Sequence, residues 1–347
     1  MTANYRIAIV GASSLRGKEL NEALTESSFA ASDFVLLDEE KSFGQLESAG
    51  EEATFIQQIT PDSFAHVDFS FFAGTPDVTD KHWQSALGAG ASIVDLTYAL
   101  EDEPGVLVRA PWFNDEGGDG SARAPDLHTP AIVPAHPAAL TLALLLGRMQ
   151  DSGAIRNVSV TFLESASEYG RTALDELHQQ TVSLLSFQSV PREFYDIQVA
   201  FNAIAATGEG AKVNLAEREA LIRRHYALLS GGRLPELALQ LVHVPVFHGH
   251  NLSIAVEFES RVAFEHVEAA LAGAHVEMIL SDVDAPSNLT SAGQEDILVR
   301  LRSDEPGMTQ SRRFWLWVST DNLKLSAFNA VECAQELRKL RPTGKVQ

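Results

Sequence analysis

Tyr5-Arg-Ile-Ala-Ile-Val-Gly-Ala-Ser-Ser-Leu-Arg-Gly17 decides the fold of this chain. Its first half is a β run ending in Ile7, Ala8, Ile9 and Val10, and its second half is a loop opened by Gly11 and closed by Gly17. Lys18 to Thr25 then reads as a helix. Strand, glycine loop and helix in that order put unsatisfied N–H groups and the positive end of a helix dipole beside the loop. That arrangement cradles the phosphates of a dinucleotide, through Gly11, Ser13, Ser14, Leu15 and Gly17. The glycines are spaced G-x5-G and not G-x-G-x-x-G, so a plain βα turn using glycine only for packing suits the same residues.

Working outward, Phe34-Val-Leu-Leu37 is the second strand. Asp38 after it stands near the place of a ribose-binding acid, where a carboxylate disfavours a 2′-phosphate. Lys41 and Ser42 argue the other way, and an exposed turn accounts for all three. Val67 to Ala73 is a strand, Asp77 to Ala89 a helix, and Ser92 to Leu96 another strand leading into Thr97-Tyr-Ala-Leu-Glu101. This alternation predicts an α/β fold with a mostly parallel, doubly wound sheet. Asn114 to Ala124, rich in Gly and polar residues, reads as a surface loop.

Ala131-Ile-Val-Pro-Ala-His-Pro-Ala138 ends one strand and starts an apolar helix, with His136 between Pro134 and Pro137. A helix start suits a nucleophile or an anion and disfavours a protonated imidazole. Beyond it the character changes. Ala154 to Leu163 and Leu241 to Glu259 alternate like antiparallel strands, with helical runs at Tyr169 to Leu185 and Leu215 to Leu229 between them. Ser281 to Gly293 reads as loop, and Arg313 to Val318 is a last strand before the C-terminal helix. The expected organisation is a dinucleotide-binding domain over 1–135 with 320–347, and a catalytic-type, dimerisation domain over 136–319.

Composition sets bounds. At 347 residues the chain is long enough for two cores. A formal charge of −21 makes nucleic acid and anionic membranes poor partners. No apolar run reaches the ~18 residues of a membrane span, and the N-terminal segment is no signal peptide, so a cytoplasmic protein is expected. The only cysteine, Cys333, lies in a helical run and reads as a packed side chain.

Six collinear segments together resemble the aspartate-semialdehyde dehydrogenase family. The glycine loop is similar to the family's Gly-Ala-Thr-Gly-x-Val-Gly. Ser92 to Leu100 resembles its strand and Ser-Ser-Ala-Phe turn. Ser165-Ala-Ser-Glu-Tyr-Gly170 resembles Ala-x-Ser-Gly-x-Gly, and Phe201-Asn-Ala-Ile204 resembles Phe-Asn-x-Ile-Pro. Val244-Pro-Val-Phe-His-Gly-His250 resembles Val-Pro-Val-x-x-Gly-His, and Asp321-Asn-Leu-Lys324 resembles Asp-Asn-Leu-Arg. The resemblance implies a Rossmann-type domain closed by the C-terminal helix, with a mixed α/β dimerisation domain inserted. It implies a homodimer, NADP or NAD as cofactor, and NADP-dependent interconversion of aspartyl phosphate and aspartate semialdehyde in amino-acid biosynthesis.

Carried over residue by residue, the family's chemistry is depleted. His136 falls where the nucleophilic cysteine belongs, although only a thiolate forms the thioester that phosphate can cleave. Glu164 falls on the orienting glutamine, His243 on the substrate-carboxylate arginine and Glu101 on the phosphate-binding arginine. Glu217 or Glu219 falls near a substrate-binding glutamate. The acid/base histidine is kept as His250, and Asn322 and Asn329 persist on the cofactor side. Leu325-Ser326 replaces a Lys-Gly pair, and the serine takes space beside a nicotinamide.

The pattern resembles the family's non-dehydrogenase, USG-like branch. A non-catalytic dimeric protein that interacts with or regulates an unidentified protein partner is expected. The alternative is an enzyme or ligand binder with new chemistry in a histidine-rich relic pocket. Within that alternative, His136, His243 and His250 with Glu164 would hold a zinc-type metal, and His248, alternating in strand register with His250, would share its face.

Overall fold

The computed structural model describes residues 5–341 except 31, 40, 41, 43, 50, 51, 117–123, 209 and 281. Lys41 and residues 117–123 of the expected surface loop lie outside the described residues. The chain divides into two units, Met1–Ala135 with Ser326–Gln347, and His136–Leu325. The C-terminal junction thus falls at 325, inside the last helix, where the sequence reading puts it at 320.

In chain order the first unit carries β1 (Arg6–Val10), α1 (Leu15–Thr25), β2 (Asp33–Asp38), β3 (Leu46–Ala49), β4 (Glu52–Phe55) and β5 (Gln57–Gln58). β6 (Phe69–Phe72), α2 (Pro76–Gly88), β7 (Ser92–Asp95), β8 (Leu107–Arg109), α3 (Pro111–Glu116) and β9 (Ala131–Pro134) follow. Seven strands form one sheet in the order β5-β2-β1-β6-β7-β9-β8, paired in parallel. β6 and β9 are buried at every residue, as the central strands of a sheet covered on both faces must be. Ile9, Leu36, Phe69 and Phe71 share one core with Val331, Ala334 and Leu337 of the last helix. Cys333 lies in the same core, and burial pushes its thiol pKa well up.

Two glycines of the opening loop are fixed by backbone packing. Gly11 has φ +85°, and a Cβ there would meet Gly74 Cα at 2.3 Å. A Cβ at Gly17 would meet the Gly11 carbonyl at 2.2 Å. α1 therefore starts hard against β1.

The second unit begins with α4 (Pro137–Gln150) and β10 (Ile155–Glu164), then α5 (Arg171–Leu185), α6 (Leu215–Ser230) and β11 (Leu237–His243). β12 (His250–Ala263), α7 (Phe264–Leu271), β13 (Val276–Met278), α8 (Asn288–Ser291), β14 (Ile297–Ser303), β15 (Gln310–Thr320) and α9 (Asn322–Leu340) complete the order, α9 crossing into the first unit. α4 is apolar all round, and Ala138 to Leu146 are buried throughout.

Six strands form the order β11-β10-β12-β15-β14-β13. β10 pairs antiparallel with β12, as the alternation suggests, but parallel with β11. The α5 and α6 crossover returns the chain in the same direction, so the expectation of antiparallel strands holds for β12 only. Two further differences are local. Gly170, at φ +83°, separates a short 3₁₀ turn, Ala166–Tyr169, from α5, and α8 occupies part of the expected 281–293 loop.

Candidate functional site

Three strand ends in the second unit gather the first site residues. In the parallel β10–β11 register Glu164 stands beside His243. In the antiparallel β10–β12 register Leu163 faces Asn251, which puts His250 at the same end of the sheet. The start of α4 adds His136, the 3₁₀ turn adds Glu168 and Tyr169, α6 adds Arg218 and the start of α9 adds Asn322. His136, Glu164 and His250 are 0 % exposed.

His136 is the N-cap of α4. Its Nδ1 accepts the Ala138 N–H at 3.1 Å, and its own N–H donates to His225 Nδ1 at 2.9 Å. A ring whose Nδ1 accepts carries its proton on Nε2 when neutral. That Nε2 faces Glu168 Oε1 at 3.4 Å. Burial pushes the His136 pKa down to about 4, with Glu168 pulling the other way, so the ring is neutral at pH 7. Desolvation is the largest cause of that neutrality, where the sequence points to the helix start.

Glu168 gathers four neighbours. Oε1 faces His136 Nε2 and, at 3.5 Å, Arg218 Nη1. Oε2 faces His250 Nε2 at 3.3 Å and accepts from Asn322 Nδ2 at 3.3 Å. The His136 and His250 rings stack with centroids 5.8 Å apart. Glu164 forms a second centre. Its Oε2 accepts the Tyr169 hydroxyl at 2.7 Å and faces His243 Nδ1 at 3.5 Å, and its Oε1 lies 3.8 Å from Arg218 Nε. Burial, then the Glu164 charge, raises the Tyr169 pKa well above normal, so the phenol keeps the proton it donates. Arg218 links both carboxylates and lies over the Tyr169 ring at 5.3 Å.

His136 and His250 thus converge on Glu168, while His243 belongs to Glu164. Among the described residues no three His, Cys, Asp or Glu side chains are placed to hold a metal ion. His248 does not share the face of His250: it is exposed, and Gly249 at φ +84° breaks the alternation between them. Glu217 is exposed, and Glu219 is committed to Arg223 and to the Leu241 N–H. Glu101 belongs to the first unit, in the turn after β7. Asn322, expected on the cofactor side, bonds Ser167, Gly249 and Glu168. Sequence reasoning misses Glu168, Tyr169 and Arg218 as site residues. The only signal is Glu168 itself, standing where the resembling motif has glycine. A surface groove of about 560 Å³ around Ser159, Ala238, Glu257, Arg313 and Trp315 contains none of these residues.

In the first unit the glycine loop is largely self-satisfied. Gly11 and Ala12 N–H donate to the Leu37 carbonyl, and Ser13 N–H donates to Asp38 Oδ2 at 2.9 Å. Ser14 caps α1 by accepting the Gly17 N–H at 2.8 Å and donates its hydroxyl to Ala73 O. Leu15 and Arg16 occupy the first helical turn, whose N–H groups have no intrahelical acceptor and suit a phosphate.

Residues 6–132 match the family described as semialdehyde dehydrogenase, NAD binding domain, and residues 146–325 match semialdehyde dehydrogenase, dimerisation domain. An aspartate-semialdehyde dehydrogenase of Rickettsia bellii is 27 % identical, over 98 % of this chain and 99 % of its own. A USG-1 protein homolog of Pseudomonas aeruginosa is 30 % identical, over 98 % of this chain and 99 % of its own. The solved structure of a probable aspartate-semialdehyde dehydrogenase from Pseudomonas aeruginosa has TM-score 0.82 at 25 % identity, covering 97 % of this chain and 99 % of that one.

Proposed function

The chain belongs to the semialdehyde dehydrogenase family, and from that premise we propose that it has lost the phosphate-dependent dehydrogenase reaction and serves as a non-catalytic dimeric protein of interaction or regulation. The observation that carries this reading is the state of His136. Its Nδ1 lone pair is engaged by the Ala138 N–H, and its Nε2 faces a carboxylate. No lone pair is left on the ring to attack an aldehyde. The only cysteine is buried in the core of the first unit. His243 and Glu101 replace the arginines that would hold anions, and a carboxylate repels phosphate.

A coupled assay with aspartate semialdehyde, inorganic phosphate and NADP tests the proposal. The expected rate equals the no-enzyme blank, and phosphate-dependent NADP reduction above it would overturn the reading. Sedimentation should give twice the chain mass, as the dimerisation-domain match supports.

The first unit fits a dinucleotide. The helix start at Leu15 and Arg16 would hold the pyrophosphate, and Asp38 would stand beside the ribose. A dinucleotide supplies a hydride donor or acceptor when bound. Its retention is read as a rise in Tm with NADH or NADPH.

One observation favours a second reading. Both His243 nitrogens, Glu164 Oε1 and Tyr195 Oη are buried without a hydrogen-bond partner among the described residues. A small polar ligand engaging them would make this pocket a binding site with chemistry of its own. Native mass spectrometry of gently purified protein tests it; a mass equal to the bare chain argues against it.

A further inference from the structure

The side chain of Glu168 is 2 % exposed, yet it faces donors from four different elements. His136 and Arg218 face one oxygen, at 3.4 and 3.5 Å. His250 and Asn322 face the other, each at 3.3 Å. The turn carrying Glu168 is held independently of its carboxylate, since Ala166 and Ser167 N–H both donate at 2.9 Å, to Val246 and Phe247 carbonyls. Two of the groups facing it are ordered on their own account as well. His136 is fixed by Ala138 and His225, and Asn322 by Ser167 and Gly249. Polar groups facing both oxygens, two of them held before the anion arrives, describe a carboxylate receptor.

The bound carboxylate is tethered to its own turn, and its contacts are long. All four exceed the about 2.7–2.9 Å of an unconstrained charge-assisted bond. A free carboxylate of the same size carries no such tether.

We infer that His136, Arg218, His250 and Asn322 form a carboxylate cradle that Glu168 fills from within, and that the cradle takes a small monocarboxylate once Glu168 is withdrawn. The pocket is self-liganded: any natural occupant of this class has to displace Glu168. Arg218, with a side chain 19 % exposed, is the part of the cradle that reaches solvent. The inference rests on the reading that the pocket is closed to the dehydrogenase substrate.

Full-length wild type, Glu168→Ala and Glu168→Ala/Arg218→Met are compared by thermal shift in sodium formate and in sodium chloride at equal ionic strength. Glu168→Ala is expected to show a saturable, formate-specific rise of about 3 °C at tenfold excess over Kd. The wild type and the double variant are expected to show none. A single variant that responds no more than the wild type overturns the cradle, as does a response that survives loss of Arg218. Should Glu168→Ala not fold in chloride, it is refolded with and without formate. Recovery only with formate supports the cradle, and failure in both overturns it. Dehydrogenase activity in the wild type would remove the underlying reading; its absence together with a silent Glu168→Ala removes the cradle alone.

Discussion

The imidazole of His136 caps the helix it introduces, its Nδ1 accepting the Ala138 N–H at 3.1 Å. The side chain is also fully buried, so two contributions to stability can be separated by substitution. His136→Ala removes the cap and leaves a cavity, and is expected to cost about 3 kcal/mol in urea unfolding. His136→Asn keeps a side-chain acceptor at the cap and is expected to cost less than half of that. Equal losses would show that the cap contributes nothing.

The same residue sets a pH dependence. The unfolded chain binds the His136 proton near pH 6.5, whereas burial lowers the folded value to about 4. Between those values the unfolded state holds more protons, so stability rises with pH across the window. The contribution is fully present above pH 6.5 and is lost as the pH falls through about 4, amounting to about 3 kcal/mol. Urea unfolding free energies of the wild type and His136→Asn, measured from pH 4.5 to 7.5, should shift relative to each other by that order, the variant being the more stable at the acid end and the wild type at neutral pH. Parallel curves would contradict the assignment to His136.

Glu164 and Tyr169 form a unit with a testable coupling. Tyr169→Phe leaves a buried carboxylate without its 2.7 Å donor and is expected to cost about 1–3 kcal/mol. Glu164→Gln keeps an acceptor for the phenol and removes the charge, so its cost is expected to be smaller. In a double-mutant cycle the two should couple by about 1 kcal/mol, and strict additivity would show that the carboxylate charge adds nothing to the hydrogen bond.

The first unit was legible because its inner strands are buried on both faces and therefore read as apolar runs, with the glycine loop marking the first βα turn. Antiparallel pairing for Leu241 to His243 was read from an alternation that reports one buried face but not the direction of the partner strand. His248 and His250 obey the alternation on paper, and the positive φ of Gly249 separates them. Arg218 is flanked by Glu217 and Glu219 and looks like part of a solvated helix face; only tertiary packing selects which of the three turns inward. Glu168 was visible solely as a misfit to a glycine motif, because no local pattern states what a buried carboxylate will meet.

The glycine loop offers a test of packing apart from any ligand. Gly11→Ala puts a Cβ 2.3 Å from Gly74 Cα at φ +85°, which combines overpacking with a left-handed backbone cost. A loss of about 3 kcal/mol or more is expected without any nucleotide present. A fully stable Gly11→Ala would show that the loop relaxes and that the glycine serves something other than packing.

Asp38 offers a test of cofactor choice. Its Oδ2 accepts the Ser13 N–H, which anchors the carboxylate at the tip of β2 beside the loop. A 2′-phosphate placed there meets a like charge, a penalty of about 1–2 kcal/mol near a protein surface, or about tenfold in Kd. NADH is therefore expected to raise Tm more than NADPH at equal concentration. Asp38→Ser, which removes the charge, should narrow or reverse the difference while leaving the NADH shift within about twofold. A wild type that responds more strongly to NADPH would show that Asp38 does not face the ribose, and that cofactor preference is set elsewhere in the loop after β2.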